Sequence, residues 1–298
     1  MSGQNIRVDR SATGTVRRAA LQHTVNAQRA LQSASPSDLD VHHARKEIKK
    51  SRAALRLLRA ALAEATYRRE DAALRSAAST LNPARDARVL VRALDSLRRR
   101  NAALGKDKAV VALARVLRRS QLQAQRQLRD RPRLLSGVRG TLQQVQRRAR
   151  RWRVGRQGWR LLEAAFKRIY RAGRRASRAA RQHPDALTLH AWRKQVQYLW
   201  HALLILRPLQ SRPPAKLAAV ARRLSDYLGK EHDLALLQSN VMAFGQRQQA
   251  LSAPLLAAIE RRRRVLRTKV MSLGKRLYAP KPRAMAARLR RWYARAPS

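Results

Sequence analysis

Apolar positions recur at spacings of three and four along almost the whole chain, the period of a helix with one buried face. Runs of alternating β-branched residues are absent, and Ala, Leu, Arg and Gln dominate, all of them good helix formers. Breakers fall between the periodic segments: Pro36, Asn82-Pro83, Gly105, Pro132, Pro184, Pro208, Pro213-Pro214, Gly229, Pro254 and the pair Pro280 and Pro282. The pattern predicts helices over 10–34, 38–66, 67–80, 84–103, 106–130, 133–152, 157–182, 185–207, 214–228, 231–249, 253–276 and 282–295. The expected fold class is all-α.

The helical pattern repeats. HHARKEI begins at His42 and HAWRKQV at His190, so Arg45, Lys46 and Ile48 align with Arg193, Lys194 and Val196. LNPARD (81–86) aligns with LGKEHD (228–233), and Pro132 aligns with Pro280. Three landmarks in register predict a tandem duplication of about six helices per half. The expected divisions are a flexible N-terminus at 1–9, a first half at 10–152 and a second at 153–298, together forming one domain. Two related bundles should pack about a pseudo-twofold axis.

A helical wheel over 41–59 puts Val41, Ala44, Ile48, Ser51, Leu55 and Leu58 on one seam. His42, Arg45, Lys49, Arg52 and Arg56 form a second stripe beside it, with Lys46 at its edge and Lys50 next in sequence. In the second half, Leu189, Trp192, Val196, Leu199 and Leu203 form the seam, flanked by His190, Arg193, Lys194 and His201. Glu47 is the only acid between 41 and 59, so the stripe lacks the partners that normally lace a solvated helix face.

Charge sharpens this picture. The 298 residues carry a formal net charge of +51, and 56 of the 68 basic residues are Arg. Such a charge repels itself and attracts polyanions, and Arg forks onto phosphate oxygens. If the halves face one another, both stripes wall a basic central groove suited to a phosphate chain. There is no Cys, which excludes disulfides and thiolate metal sites. No run is apolar enough to span a membrane, and the N-terminus lacks a signal-peptide core, so the expected location is the cytoplasm.

At these residues the sequence resembles the CHAD family, the conserved histidine α-helical domain. The family hallmark is similar to H-x-x-R-x-x-h-[RK]-[RK]-x-R, with h apolar. His42, Arg45, Ile48, Lys49, Lys50 and Arg52 match it in full. The second copy keeps His190, Arg193 and Val196, then has Gln197, Tyr198 and Trp200 where the family carries bases. The resemblance covers about 10–296. It implies two helical bundles around a basic pore that binds inorganic polyphosphate without catalysis and without a cofactor, and an association with polyphosphate granules. The departures of the second copy shift the expected affinity mainly onto 42–59, with extra Arg elsewhere compensating. The contacts expected are His42, Arg45, Lys46, Lys49, Lys50, Arg52, Arg56, His190, Arg193, Lys194 and His201.

Other chemistries fit less well. His42, His43, His190, His201 and His232 could ligate zinc or copper, but the surrounding Arg and Lys would repel a dication. His232-Asp233 resembles the pair of helical metal-dependent phosphohydrolases, yet no Asp follows Asp233 and only 17 acids serve the chain. Asp86 and Asp233 are expected to cap helices or pair with Arg. RRARRWR (147–153), with Trp152 to stack or insert, and RRRR (261–264) are candidate nucleic-acid or membrane patches, although exposed bundle helix whose Arg stems cover apolar surface is the favoured reading; non-specific nucleic-acid binding is expected at low salt.

Overall fold

The structure, a computed structural model, describes residues 11–33, 35–130, 132–154, 158–209, 215–248 and 253–293. The flexible N-terminus expected at 1–9 and the break expected at Pro213-Pro214 lie outside the described residues. Within them every regular element is helical: α1 (Ala12–Arg29), α2 (Asp38–Leu57), α3 (Glu64–Thr80), α4 (Asn82–Arg98), α5 (Ala103–Lys106), α6 (Lys108–Arg129), α7 (Pro132–Arg150), α8 (Gly158–Gln182), α9 (Ala186–Leu206), α10 (Ala215–Gln248), α11 (Ala253–Leu277) and α12 (Pro282–Tyr293), with a 3-10 turn at Arg207–Leu209. No described helix is long and apolar enough to cross a membrane.

Local chemistry sets several of these starts. Ser37 and Asp40 form a capping box at the head of α2, in which each side chain satisfies the other's free backbone N–H. The Asp185 carboxylate accepts the Thr188 N–H at 2.7 Å to open α9, and Asp107 does the same for α6.

Two expectations fail in instructive ways. The helix expected over 38–66 stops at Leu57. The break expected at Gly229 is absent, and α10 runs unbroken through it for 34 residues. The aligned position in the first half does break, with α3 ending before Leu81 and Pro83 at the start of α4. Proline has no N–H to give and clashes with the preceding turn, whereas a helical glycine costs only about 1 kcal/mol.

The helices pair in a recurring order. Helix α1 packs on α2 and α7, as α8 packs on α9 and α12; α4 packs on α6, as α10 packs on α11. Across the middle, α2 meets α9 and α4 meets α10. The hydrophobic interior has two parts. One gathers α1, α2, α3, α7, α8, α9 and α12 with the first half of α10 and the end of α11, around Trp192, Tyr170 and Phe166. The other gathers α4, α5 and α6 with the rest of α10 and α11. Neither part follows the 152/153 division.

Several polar groups inside this interior are matched. Ser51, on the α2 seam, bonds Thr24 Oγ1 at 2.8 Å and donates to the Ala20 carbonyl. Glu70 is fully buried and takes Arg148 bidentately at 2.7 and 2.9 Å. Glu231, also buried, takes Arg263. Between α1 and α2, Glu47 accepts from His23 Nδ1 at 2.7 Å and from Lys50 Nζ at 2.5 Å.

Two outcomes follow from this packing. A methyl group added at Gly274 would overlap the buried ring of Trp192. Gly274→Ala should therefore lower stability by about 1–2 kcal/mol, overpacking outweighing the helix-propensity gain; a urea midpoint at or above wild type would contradict this. For Glu47, burial pushes the carboxyl pKa up, but the His23 and Lys50 hydrogen bonds outweigh it and hold it at about 2. A depressed carboxylate adds stability above its ordinary pKa and loses it as pH falls. The advantage of wild type over Glu47→Gln should thus be constant above about pH 5 and shrink toward about pH 2, amounting to at most about 3 kcal/mol. Denaturant unfolding across pH measures it.

Candidate polyanion-binding site

Where α2, α4, α9 and α10 meet, a cavity of about 650 Å³ opens, closed at one side by Arg262 and Leu266 of α11. Each helix contributes one face at helical spacing. From α2 come His42, Arg45, Lys46 and Lys49; from α4, Arg85, Arg88 and Arg92; from α9, Arg193, Gln197, Trp200 and His201; from α10, Arg222, Ser225, Asp226, Gly229, Lys230 and Asp233. Arg100 and Asp38 also reach it. Eleven Arg and Lys side chains thus face three carboxylates in one cavity.

Those carboxylates are already engaged. Asp233 accepts from Arg85 at 3.2 Å across the α4–α10 contact, and Arg85 also holds Asp86 at 2.7 Å. Asp226 lies 4.0 Å from Arg222, and Asp38 accepts from Gln121 at 2.7 Å. Asp86 lies in the second turn of α4 and Asp233 in the middle of α10, so neither caps a helix; arginine pairing is their role. Among the described residues Lys46, Lys49, Arg92, Arg100, Arg193 and Arg262 have no ion pair within the protein.

Burial and mutual repulsion shape the protonation of the wall. Lys49 is pushed down to about 7, first by burial and then by Arg193, Arg45 and Arg85, with Asp233 opposing. Arg45 is lowered to about 10, mainly by burial and then by Arg85, and donates to the Ala78 carbonyl at 2.5 Å and to Asn82 Oδ1. Burial followed by nearby cations lowers His42 to about 4 and both His201 and His232 to about 3, so all three are neutral near pH 7. Asp233 is raised by its burial, against Arg193, Arg85 and Lys49. Arg193 Nε and His201 Nδ1 are buried with no hydrogen-bond partner among the described residues.

Of the eleven residues expected to contact ligand, six line the cavity: His42, Arg45, Lys46, Lys49, Arg193 and His201. Five do not. Arg52 is turned to α3, where its Nε donates to Asp71 at 3.0 Å. Arg56 lies over the Tyr198 ring, 4.0 Å from its centroid. Lys50 is held by Glu47. His190 packs against His232, with ring centroids 4.5 Å apart, and Lys194 is exposed outside the wall. The stripe on α2 is real in azimuth, but the cavity takes only its N-terminal part. Beyond Lys49, α3 and α9 pack against it.

The arginines of α4 and the cations of α10 and α11 were missed. Arg85 stands inside LNPARD, and 85, 88 and 92 have the same spacing as the α2 stripe, so the signal was present. The two Arg runs are each divided, with Arg147, Arg150, Arg151, Arg153, Arg261 and Arg264 exposed and the others engaged. Arg148 and Arg263 are bound to buried glutamates, Arg262 lines the cavity, and Trp152 is only 4% exposed and cannot stack on a base. Among the described residues no group of three or more His, Cys, Asp or Glu could hold a metal ion.

Comparison with known proteins places the fold. The family model of the CHAD domain matches residues 16–242. The crystal structure of the CHAD domain from the plant Ricinus communis is similar over 97% of this chain and 94% of that one, with 17% identity and a TM-score of 0.56. PptA from Streptomyces chartreusis is similar over 93% and 99%, with 14% identity and a TM-score of 0.63. No curated protein matches. With its family match covering residues 16–242, more than half of the chain, the chain belongs to the CHAD domain family.

Proposed function

We propose that the protein binds inorganic polyphosphate in the α2–α4–α9–α10 cavity and does not act on it chemically. The observation that carries this reading is the gathering of eleven cationic side chains against three engaged carboxylates. A polymer with one charge on every phosphate suits such a wall, because each Arg or Lys contact neutralises an oxygen and releases a counterion. Family membership supports the same ligand through the resemblance at His42 to Arg52. Arg and Lys supply charge, while neutral His42 and His201 supply hydrogen bonds. Binding without turnover fits carboxylates that are tied to Arg85, Arg222 and Gln121 and so are poorly placed as general bases. A cytoplasmic protein of this kind would sit on polyphosphate granules.

Nucleic acid is the competing ligand, favoured by a net charge of +51. The test is a competition titration at ~150 mM salt, where long-range steering is screened. Labelled long-chain polyphosphate should be displaced poorly by RNA or DNA at equal phosphate concentration. Equal or better displacement would make the cavity a general polyanion site.

Mutation separates wall from scaffold. Lys46→Gln, Arg92→Gln and Arg262→Gln should each weaken binding modestly and reduce the salt slope by about one, and together they should abolish tight binding. Arg52→Ala should leave the slope unchanged and instead cost about 1–3 kcal/mol of stability, because Asp71 stays buried with Arg75 as its remaining partner. A salt slope altered by Arg52→Ala would put the site further along α2.

A further inference from the structure

Lys49 occupies a singular place in the cavity. It faces Arg45 on its own helix, Arg85 on α4 and Arg193 on α9, with Asp233 of α10 as the opposing charge. Asp233 is already bound to Arg85. The histidines whose charge Lys49 opposes, His42, His190, His201 and His232, come from α2, α9 and α10. Charged groups on the other sides of α2 are held elsewhere: His23 of α1 by Glu47, and Asp71 of α3 by Arg52 and Arg75. The cluster therefore holds more cations than its acids neutralise. Guanidinium groups do not release their proton, whereas an ammonium does. Lys49 is the one cation of the four that can relieve the repulsion.

We propose that Lys49 is a specificity-determining contact that releases its proton readily in the free protein and holds it once a phosphate chain enters, so that binding draws in a proton. The inference rests on the polyphosphate reading above and adds a way to discriminate between ligands. A dense line of phosphates restores the charge of Lys49 and gains the contact. A sparse or weakly charged anion leaves the amine neutral and forgoes it. The depressed pKa of Lys49 near 7 agrees with this geometry.

The sign of the effect is set by linkage. Where the complex holds more protons than the free protein, affinity falls as pH rises. Between about pH 7 and about pH 9, wild-type affinity for long-chain polyphosphate should fall by up to about tenfold per pH unit relative to Lys49→Arg, which keeps its charge. Long chains keep the titration of terminal phosphates small. Calorimetry of the wild-type protein at about pH 8, in two buffers of different ionisation heat, should show uptake of about one proton per site. Lys49→Arg should show about one fewer.

No binding by the wild-type protein at any pH would sink the polyphosphate reading and this inference with it. Binding with parallel pH slopes in the two proteins would sink the inference alone. Should Lys49→Arg fail to fold, the buffer-heat measurement on wild type still decides, and no proton uptake overturns the proposal.

Discussion

Mutual repulsion among Arg45, Lys49, Arg85 and Arg193 is the constraint that the rest of the molecule answers. At an effective dielectric near 20, two like charges ~4 Å apart cost about 4 kcal/mol. A wall of such groups holds only if something else fixes the helices that bear them. The two apolar interiors do this. The seams of α2 and α9 are buried beside the cavity, so each basic side chain is anchored by neighbours one turn away that have no choice but to face inward. Asp233 and Asp86 relieve the strain at one point through Arg85.

The few acids act as sorting devices. Glu47, Glu70, Asp71 and Glu231 each bind basic side chains away from the cavity, on contacts between other helices. Chain-wide charge alone would suggest a uniformly sticky surface. The ion pairs show instead that some cations are structural, while a separate set, Lys46, Lys49, Arg92, Arg193 and Arg262 among them, lines one cavity without an ion pair among the described residues. A buried pair adds little net stability over an apolar contact, but removing one partner is expensive. These acids thus hold the partition between scaffold and wall.

Much of this was legible in the sequence, and the parts that were not share one cause. The apolar seams Val41, Ala44, Ile48, Ser51, Leu55, Leu58 and Leu189, Trp192, Val196, Leu199, Leu203 are buried throughout. Periodicity reports azimuth on a helix faithfully. It does not report what stands opposite at a given height. Arg52 and Arg56 left the site because Asp71 and Tyr198, the latter 142 residues from Arg56, lie across from them. Arg85, Arg88 and Arg92 entered it because α4 crosses α10, a contact that no local pattern encodes. Gly229 misled in the opposite direction, since a glycine weakens a helix without ending it.

The unbroken course of α10 has a mechanical consequence. At 34 residues it extends about 51 Å. Leu224 and Leu228 plant it in one interior, and Leu234, Leu237 and Val241 in the other. Helix α11 spans the same divide through Ile259 and Val270. These two beams act as girders through the whole assembly. Loosening either interior frays a beam that the other needs, so the two interiors should melt together.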